Sequence, residues 1–176
     1  MLRGTIFGTE MCEELDEIAK LIGQTIQEAR DLTFELSPPL LHEMGINAAL
    51  EWLAEQFDTR NEIRFEYRDD GRSLSLDENV RVLLFRAVRE LFENVERHSR
   101  ARYCLLELSE NDSIVLVSVE DDGVGFDAGE PNAVYTETSG YGLFHIQEHM
   151  KHLGGRLEIE SKIGIGTRAL LVSPRE

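Results

Sequence analysis

Leu15, Ile18, Ile22, Thr25, Ala29, Leu32 and Leu36 recur at alternating steps of three and four, the spacing that holds one stripe of a helix against a partner. A long helix is predicted over residues 11–36. Leu21, Ile26 and Phe34 widen the stripe beyond a two-stranded seam and favour a helical bundle. Pro38 and Pro39 end that helix, because proline brings no backbone donor and restricts the residue before it, and a linker is predicted to follow. Leu50, Trp52, Leu53 and Phe57 mark a second, shorter amphipathic helix from Asn47 to about Asp58. Ile63, Phe65 and Tyr67 alternate with charged residues, as in a half-buried strand that ends at Asp69-Asp70-Gly71.

Val80, Leu83, Leu84, Ala87, Val88, Leu91, Phe92 and Val95 form the apolar face of a helix that opens at Leu76-Asp77-Glu78-Asn79 and runs to His98. Two strands follow, at Tyr103 to Leu108 and Ile114 to Glu120, joined by the turn-prone Glu110-Asn111-Asp112-Ser113. Asp127 to Ser139 has no periodicity and reads as a mobile loop. A helix from Gly142 to Leu153 stops at Gly154-Gly155, and a hairpin runs through Arg156 to Ser161 and Thr167 to Val172. Strand and helix do not alternate regularly, so the expected class is α+β: a two-layer sandwich with helices on one face of a mixed sheet, preceded by a long helix.

Composition narrows the chemistry. The 176 residues include 34 acidic and 18 basic side chains, a formal charge of −16, which argues against gripping the phosphate backbone of a nucleic acid. No run approaches the ~18 apolar residues of a membrane span, so no membrane contact is expected. Cys12 and Cys104 lack metal-ligand spacing and point to a reducing, cytoplasmic setting. Residues 1–58 hold 12 acidic and 3 basic residues, whereas Arg81, Arg86, Arg89, Arg97, Arg100 and Arg102 crowd into one short stretch.

Four clusters could carry chemistry. Glu90 and Asn94 lie one helical turn apart, with Arg97 and His98 on the next turn; a carboxylate can act as a base and an amide oxygen can ligate a hard cation such as magnesium. In Asp121-Asp122-Gly123-Val124-Gly125-Phe126 an acid ends a strand beside glycines that let a ligand come close. Gly140-Tyr141-Gly142-Leu143 opens a helix, where free amides and the helix dipole attract phosphate. Gly164-Ile165-Gly166-Thr167 joins the strands of the last hairpin. His145-Ile146-Gln147-Glu148-His149 also fits the H-x-x-E-H spacing of inverted zinc peptidases, but no third ligand accompanies it.

The four clusters, in this order, resemble the N box and the three glycine boxes of the GHKL ATP-binding domain of sensor histidine kinases. Leu36-Ser37-Pro38-Pro39-Leu40-Leu41 with Gly45-Ile46 is similar to the preceding junction in the nitrate-sensor-like subfamily. The resemblance implies a Bergerat-type fold over residues 45–176, with residues 1–44 as the second dimerisation helix and linker. It implies that Asp121 accepts the adenine amino group while Gly123 and Gly125 let the base approach, and that Thr167 lies near the adenine edge. Asn94 would bind magnesium, and Glu90 would act as base or orient the incoming imidazole. Arg97, His98 and the backbone around Gly140, Gly142 and Leu143 would face the phosphates, under an ATP lid at 127–139. The implied partners are ATP, a second copy of the chain through the N-terminal helix, and a response regulator. The family's phosphoacceptor histidine has no match: His42, His98, His145, His149 and His152 all lie outside the predicted first helix, and only His42-Glu43 has the family's dipeptide, after the prolines. The chain therefore reads as a catalytic fragment that needs a histidine from elsewhere. A nucleotide-responsive docking module and an anti-sigma-type serine kinase are the alternatives.

Overall fold

A computed structural model of the chain describes residues 39–71, 76–111, 113–127 and 140–175. The helix predicted over 11–36 and the loop predicted over 127–139, apart from Asp127, lie outside these residues. From Leu40 onward the chain forms one compact unit.

Helix α1 spans Pro39–Arg60, so the linker expected after the proline pair is helix instead. Proline is suited to the first helical position, where its missing N–H has no partner to lose, and Leu41 is already buried in the core. The break comes at Gly45, with φ 83° and ψ −178°, a conformation open to glycine. Beyond it Ile46, Ala49, Leu50, Leu53, Ala54 and Phe57 bury one face, somewhat more than the predicted Asn47 to Asp58. Strand β1 is Arg64–Asp69.

Helix α2 covers Glu78–Asn94, capped by the Asp77 carboxylate, which accepts the Asn79 N–H at 2.8 Å. The expected regular helix to His98 changes at Val95–Ser99 into a π-helical turn, closed by Arg100 at φ 53°. Ser99 explains the change locally: its hydroxyl donates to the Val95 carbonyl at 2.7 Å and accepts the Ala101 N–H at 2.9 Å, replacing regular backbone pairing. Strands β2 (Tyr103–Glu110) and β3 (Ile114–Asp121), helix α3 (Gly140–His152), and strands β4 (Arg156–Lys162) and β5 (Gly166–Pro174) follow. Among the described residues no helix is long and apolar enough to cross a membrane.

The five strands form one mixed sheet in the order β1-β2-β3-β5-β4, with β1 parallel to β2 and the other pairs antiparallel. The register aligns side chains in rows. Leu108, Val117, Leu171 and Leu157 form one row, and Leu106, Val119, Ala169 and Ile159 the next. The row beyond holds Phe65, Cys104, Asp121, Thr167 and Ser161. Successive rows on one face differ by two residues in each strand, so Asp121 and Thr167 share the face that Val119 and Ala169 bury. That face joins the apolar sides of all three helices in one core: the α+β two-layer arrangement with helices on one side. The apolar rows give way to a polar one at the end where β3 stops.

Phe57 of α1, Phe65 of β1 and Phe92 of α2 tie helices to sheet, with ring centres 4.7 to 5.3 Å apart in tilted and edge-on contacts. The Arg60 guanidinium covers the outer side of Phe57 at 3.7 Å. Phe92 is fully buried, whereas Phe144 is 39% exposed. Urea unfolding should show Phe92→Ala losing about 3–5 kcal/mol and Phe144→Ala within about 0.5 kcal/mol of wild type. Equal losses would contradict this placement of the core.

Candidate functional site

A cavity of about 670 Å³ opens at the polar end of the sheet, between β3, β4 and β5 on one side and α2, its π turn and the start of α3 on the other. Leu91, Val95, Val119, Ile159 and Ala169 give it an apolar floor, with Val124, Phe126, Leu143 and Ile163 around them. Asn94, His98, Ser99, Asp121, Asp127 and Thr167 supply the polar groups. An apolar slot with a few fixed polar atoms suits a flat heteroaromatic ring.

Asp121 is 8% exposed and is the buried acid of this slot, whereas Asp127 is exposed. Burial pushes its carboxyl above the usual aspartate range, and the neighbouring Asp122 and Glu120 charges add to the rise. The Gly123 N–H, which donates to Oδ1 at 2.8 Å, and the Thr167 backbone pull the other way. Asp122 is structural: its Oδ1 accepts the amides of Arg102 and Tyr103 at 2.7 and 2.9 Å, fixing the exit from the π turn to the start of β2.

The loop after β3 is clamped from both sides. The Val124 N–H donates to the Ser99 carbonyl at 2.7 Å, and the Val124 carbonyl accepts the Gly164 N–H at 2.7 Å. The Phe126 N–H donates to Ser161 Oγ at 2.8 Å, and that hydroxyl lies 2.9 Å from Thr167 Oγ1. Gly125 has φ 58°, and a Cβ there would run into the Lys162 carbonyl, so space and backbone both require glycine. Gly123 lies beside the cavity rather than in its wall and backs onto the Ser99 carbonyl and Asp121 Oδ1.

At the other end, Asn94 lines the cavity while its amide nitrogen is buried with no hydrogen-bond partner, an unmet demand that a ligand can satisfy. Glu90, one turn earlier, is half-buried just behind the wall. Burial and the Glu93 charge raise its pKa, while Arg97, Arg89 and His145 oppose the rise. Its carboxylate reaches α3 at Gly142, where an added Cβ would overlap it. Gly140 and Gly142 lie in the first turn of α3 and Leu143 lines the cavity, so that helix begins beside Glu90. Arg97 is directed elsewhere: exposed, it pairs with Glu93 at 2.8 Å and does not line the cavity. His98 does line it. Sequence reasoning missed the apolar floor and the Ser99 and Ser161 clamps; their only sequence signal is the period-two placement of Ile159 and Ser161 on β4.

A metal, if bound, would find an Asn94 amide oxygen, a suitable ligand for a hard cation that takes its other oxygens from phosphate and water. Among the described residues no cluster of three His, Cys, Asp or Glu side chains could hold a metal without such help.

Residues 79–176 match the family described as histidine kinase-, DNA gyrase B- and HSP90-like ATPases. The chain belongs to this family of ATP-binding domains. An uncharacterized sensor-like histidine kinase of Chloroflexus aurantiacus is 32% identical over 93% of this chain and 28% of its own length. The sensor histidine kinase MctS of Rhizobium johnstonii is 32% identical over 92% of this chain and 34% of its own. The chain thus spans about a third of the length of these curated relatives. The histidine kinase domain of a blue-light activated histidine kinase from Erythrobacter litoralis has the same fold, with TM-score 0.60 and 19% identity over 74% of this chain and 61% of that one.

Because the raised pKa marks a folded state in which the Asp121 charge is disfavoured, neutralising it should stabilise the nucleotide-free protein. Asp121→Asn should raise the midpoint of thermal unfolding at pH 7. The advantage should disappear near pH 3, where aspartate is protonated in both the folded and unfolded wild type, since stability associated with a raised carboxyl pKa is present at low pH and lost as pH rises through the folded value. A lower midpoint for the variant at pH 7 would show that Asp121 is not held under strain.

Proposed function

We propose that this chain is the ATP-binding catalytic part of a two-component sensor histidine kinase, which transfers the γ-phosphoryl of Mg-ATP to a histidine outside residues 40–176 for passage to a response-regulator aspartate. The observation that carries the reading is the pairing of a buried acceptor, Asp121, with Asn94 in the lining of one cavity, and Glu90 just behind its wall against Gly142.

In this reading adenine lies on the apolar floor, its amino group donates to Asp121, and Thr167 sits at the ring edge. Phosphates extend toward Asn94, His98 and the first turn of α3, where the amides around Gly140 and Gly142 present the positive helix end. Magnesium held by Asn94 would neutralise phosphate charge. Arg97, held by Glu93 in this structure, would need a change of partner to face the phosphates. Glu90, whose proton affinity burial has raised, takes or orients the proton of the attacking imidazole. Positioning and charge neutralisation supply most of the rate, as is general for phosphoryl transfer. The second copy of the chain would join through the helix predicted over 11–36, and a cytoplasmic setting follows from the nucleotide.

Isothermal titration with a non-hydrolysable ATP analogue and magnesium should give one site per chain, weakened at least about tenfold, or 1.4 kcal/mol, in Asp121→Asn. With a phosphoacceptor helix supplied in trans, Glu90→Gln should keep nucleotide binding and lose at least about 100-fold in transfer rate. No binding by wild type would overturn the ATP reading for this chain. Binding without transfer to the added helix would instead make it a nucleotide-responsive docking module.

A further inference from the structure

The H-x-x-E-H segment on α3 is left unused by the ATP reading, and its geometry points to a ligand. We propose that His145 and His149 form a zinc-binding pair on the exposed face of α3. The two are one helical turn apart, both exposed, with ring centres 6.2 Å apart and planes inclined by 37°. Two histidines four residues apart on one helix face are a recurring zinc-holding arrangement. Zinc–nitrogen bonds of 2.0–2.1 Å at a tetrahedral angle bring imidazole centres to roughly 5 Å, so turning the exposed rings inward by about 1 Å closes the site.

The surroundings fit an exchangeable ion better than a peptidase centre. Glu148, the acid of the motif, is tied to Lys151 at 2.9 Å, and no third His, Cys, Asp or Glu completes a cluster among the described residues. With two protein ligands the ion would take two waters, one more than at the three-ligand open zinc sites of enzymes, so the site would be weak and exchangeable. His152 extends the same stripe, three residues beyond His149 and seven beyond His145, too far from His145 to share one ion with it. His145 also lies near enough to Glu90 for their charges to interact, so an ion here would add positive charge beside the group assigned to proton handling. That consequence rests on the proposed function; the zinc site itself does not.

Titrating zinc chloride into the nucleotide-free chain, with magnesium chloride as the control, tests the site. One zinc should bind per pair, magnesium should not compete, and His145→Ala and His149→Ala should each weaken binding at least about tenfold. His152→Ala and Cys12→Ser should leave affinity within about twofold, and His→Gln variants with unchanged circular dichroism separate ligand loss from misfolding. Zinc affinity equal in wild type and the His145/His149 double variant would overturn the proposal. So would a His152→Ala loss as large as that of His145→Ala. Nucleotide is absent throughout, so either result leaves the ATP reading to its own titration.

Discussion

The site depends on how closely three backbone segments approach at the end of β3. The Asp121 carbonyl meets Gly166, the Gly123 backbone backs onto Ser99, and Gly125 faces the carbonyl of Lys162. No side chain fits at these points, and the absence of Cβ atoms lets the last hairpin, the π turn and the β3 loop close around one carboxylate. Asp121 reaches the helix-facing side because it continues the row phase set by Val117 and Val119. Core packing and the ligand recognition proposed for Asp121 are therefore the same geometry at successive rows: apolar rows hold the sheet to its helices, and the next row holds the acid. The burial of that acid is unfavourable, a stability cost of the kind retained where activity needs it.

The electrostatics at the opposite end are less direct than the charge distribution suggests. The chain carries −16, and its dense run of arginines is the obvious attraction for an anion. None of those arginines lines the cavity. Arg81 donates to the Leu41 carbonyl and ties α1 to α2, while Arg89 and Arg97 share Glu93. In the proposed function the amides at the start of α3, the Asn94 amide and His98 are the groups left to face a phosphate chain. Partial charges of this kind act over short distances, which suits a small anion held in one orientation and gives little to an extended polyanion.

The parts of this arrangement that were legible in the sequence are those expressed locally. Period-two and helical spacing placed most elements within a few residues of their observed ends, and Asn94, His98, Asp121, Gly125, Leu143 and Thr167, picked out by motif, all line the cavity. The features that escaped depend on partners distant in the chain. The parallel pairing of β1 with β2 has no local signature. The π turn follows from a serine hydroxyl competing for a backbone carbonyl, and a helical pattern of apolar residues continues through it unchanged. The proline pair, read as a stop, instead opens α1 at Pro39. The Glu90 to Gly142 approach joins residues 52 positions apart, and only the packed helices reveal why that glycine carries no side chain.

In the proposed function a buried carboxylate, Asp121, selects the base. Adenine offers an amino donor where guanine offers a carbonyl oxygen, and two acceptors facing each other in a dry slot repel while leaving both unpaired. Direct titration of the wild-type chain with ATP and with GTP analogues, at equal magnesium and pH 7, measures this most simply. ATP is expected to bind at least about 100-fold tighter; equal affinities would show that Asp121 does not read the base.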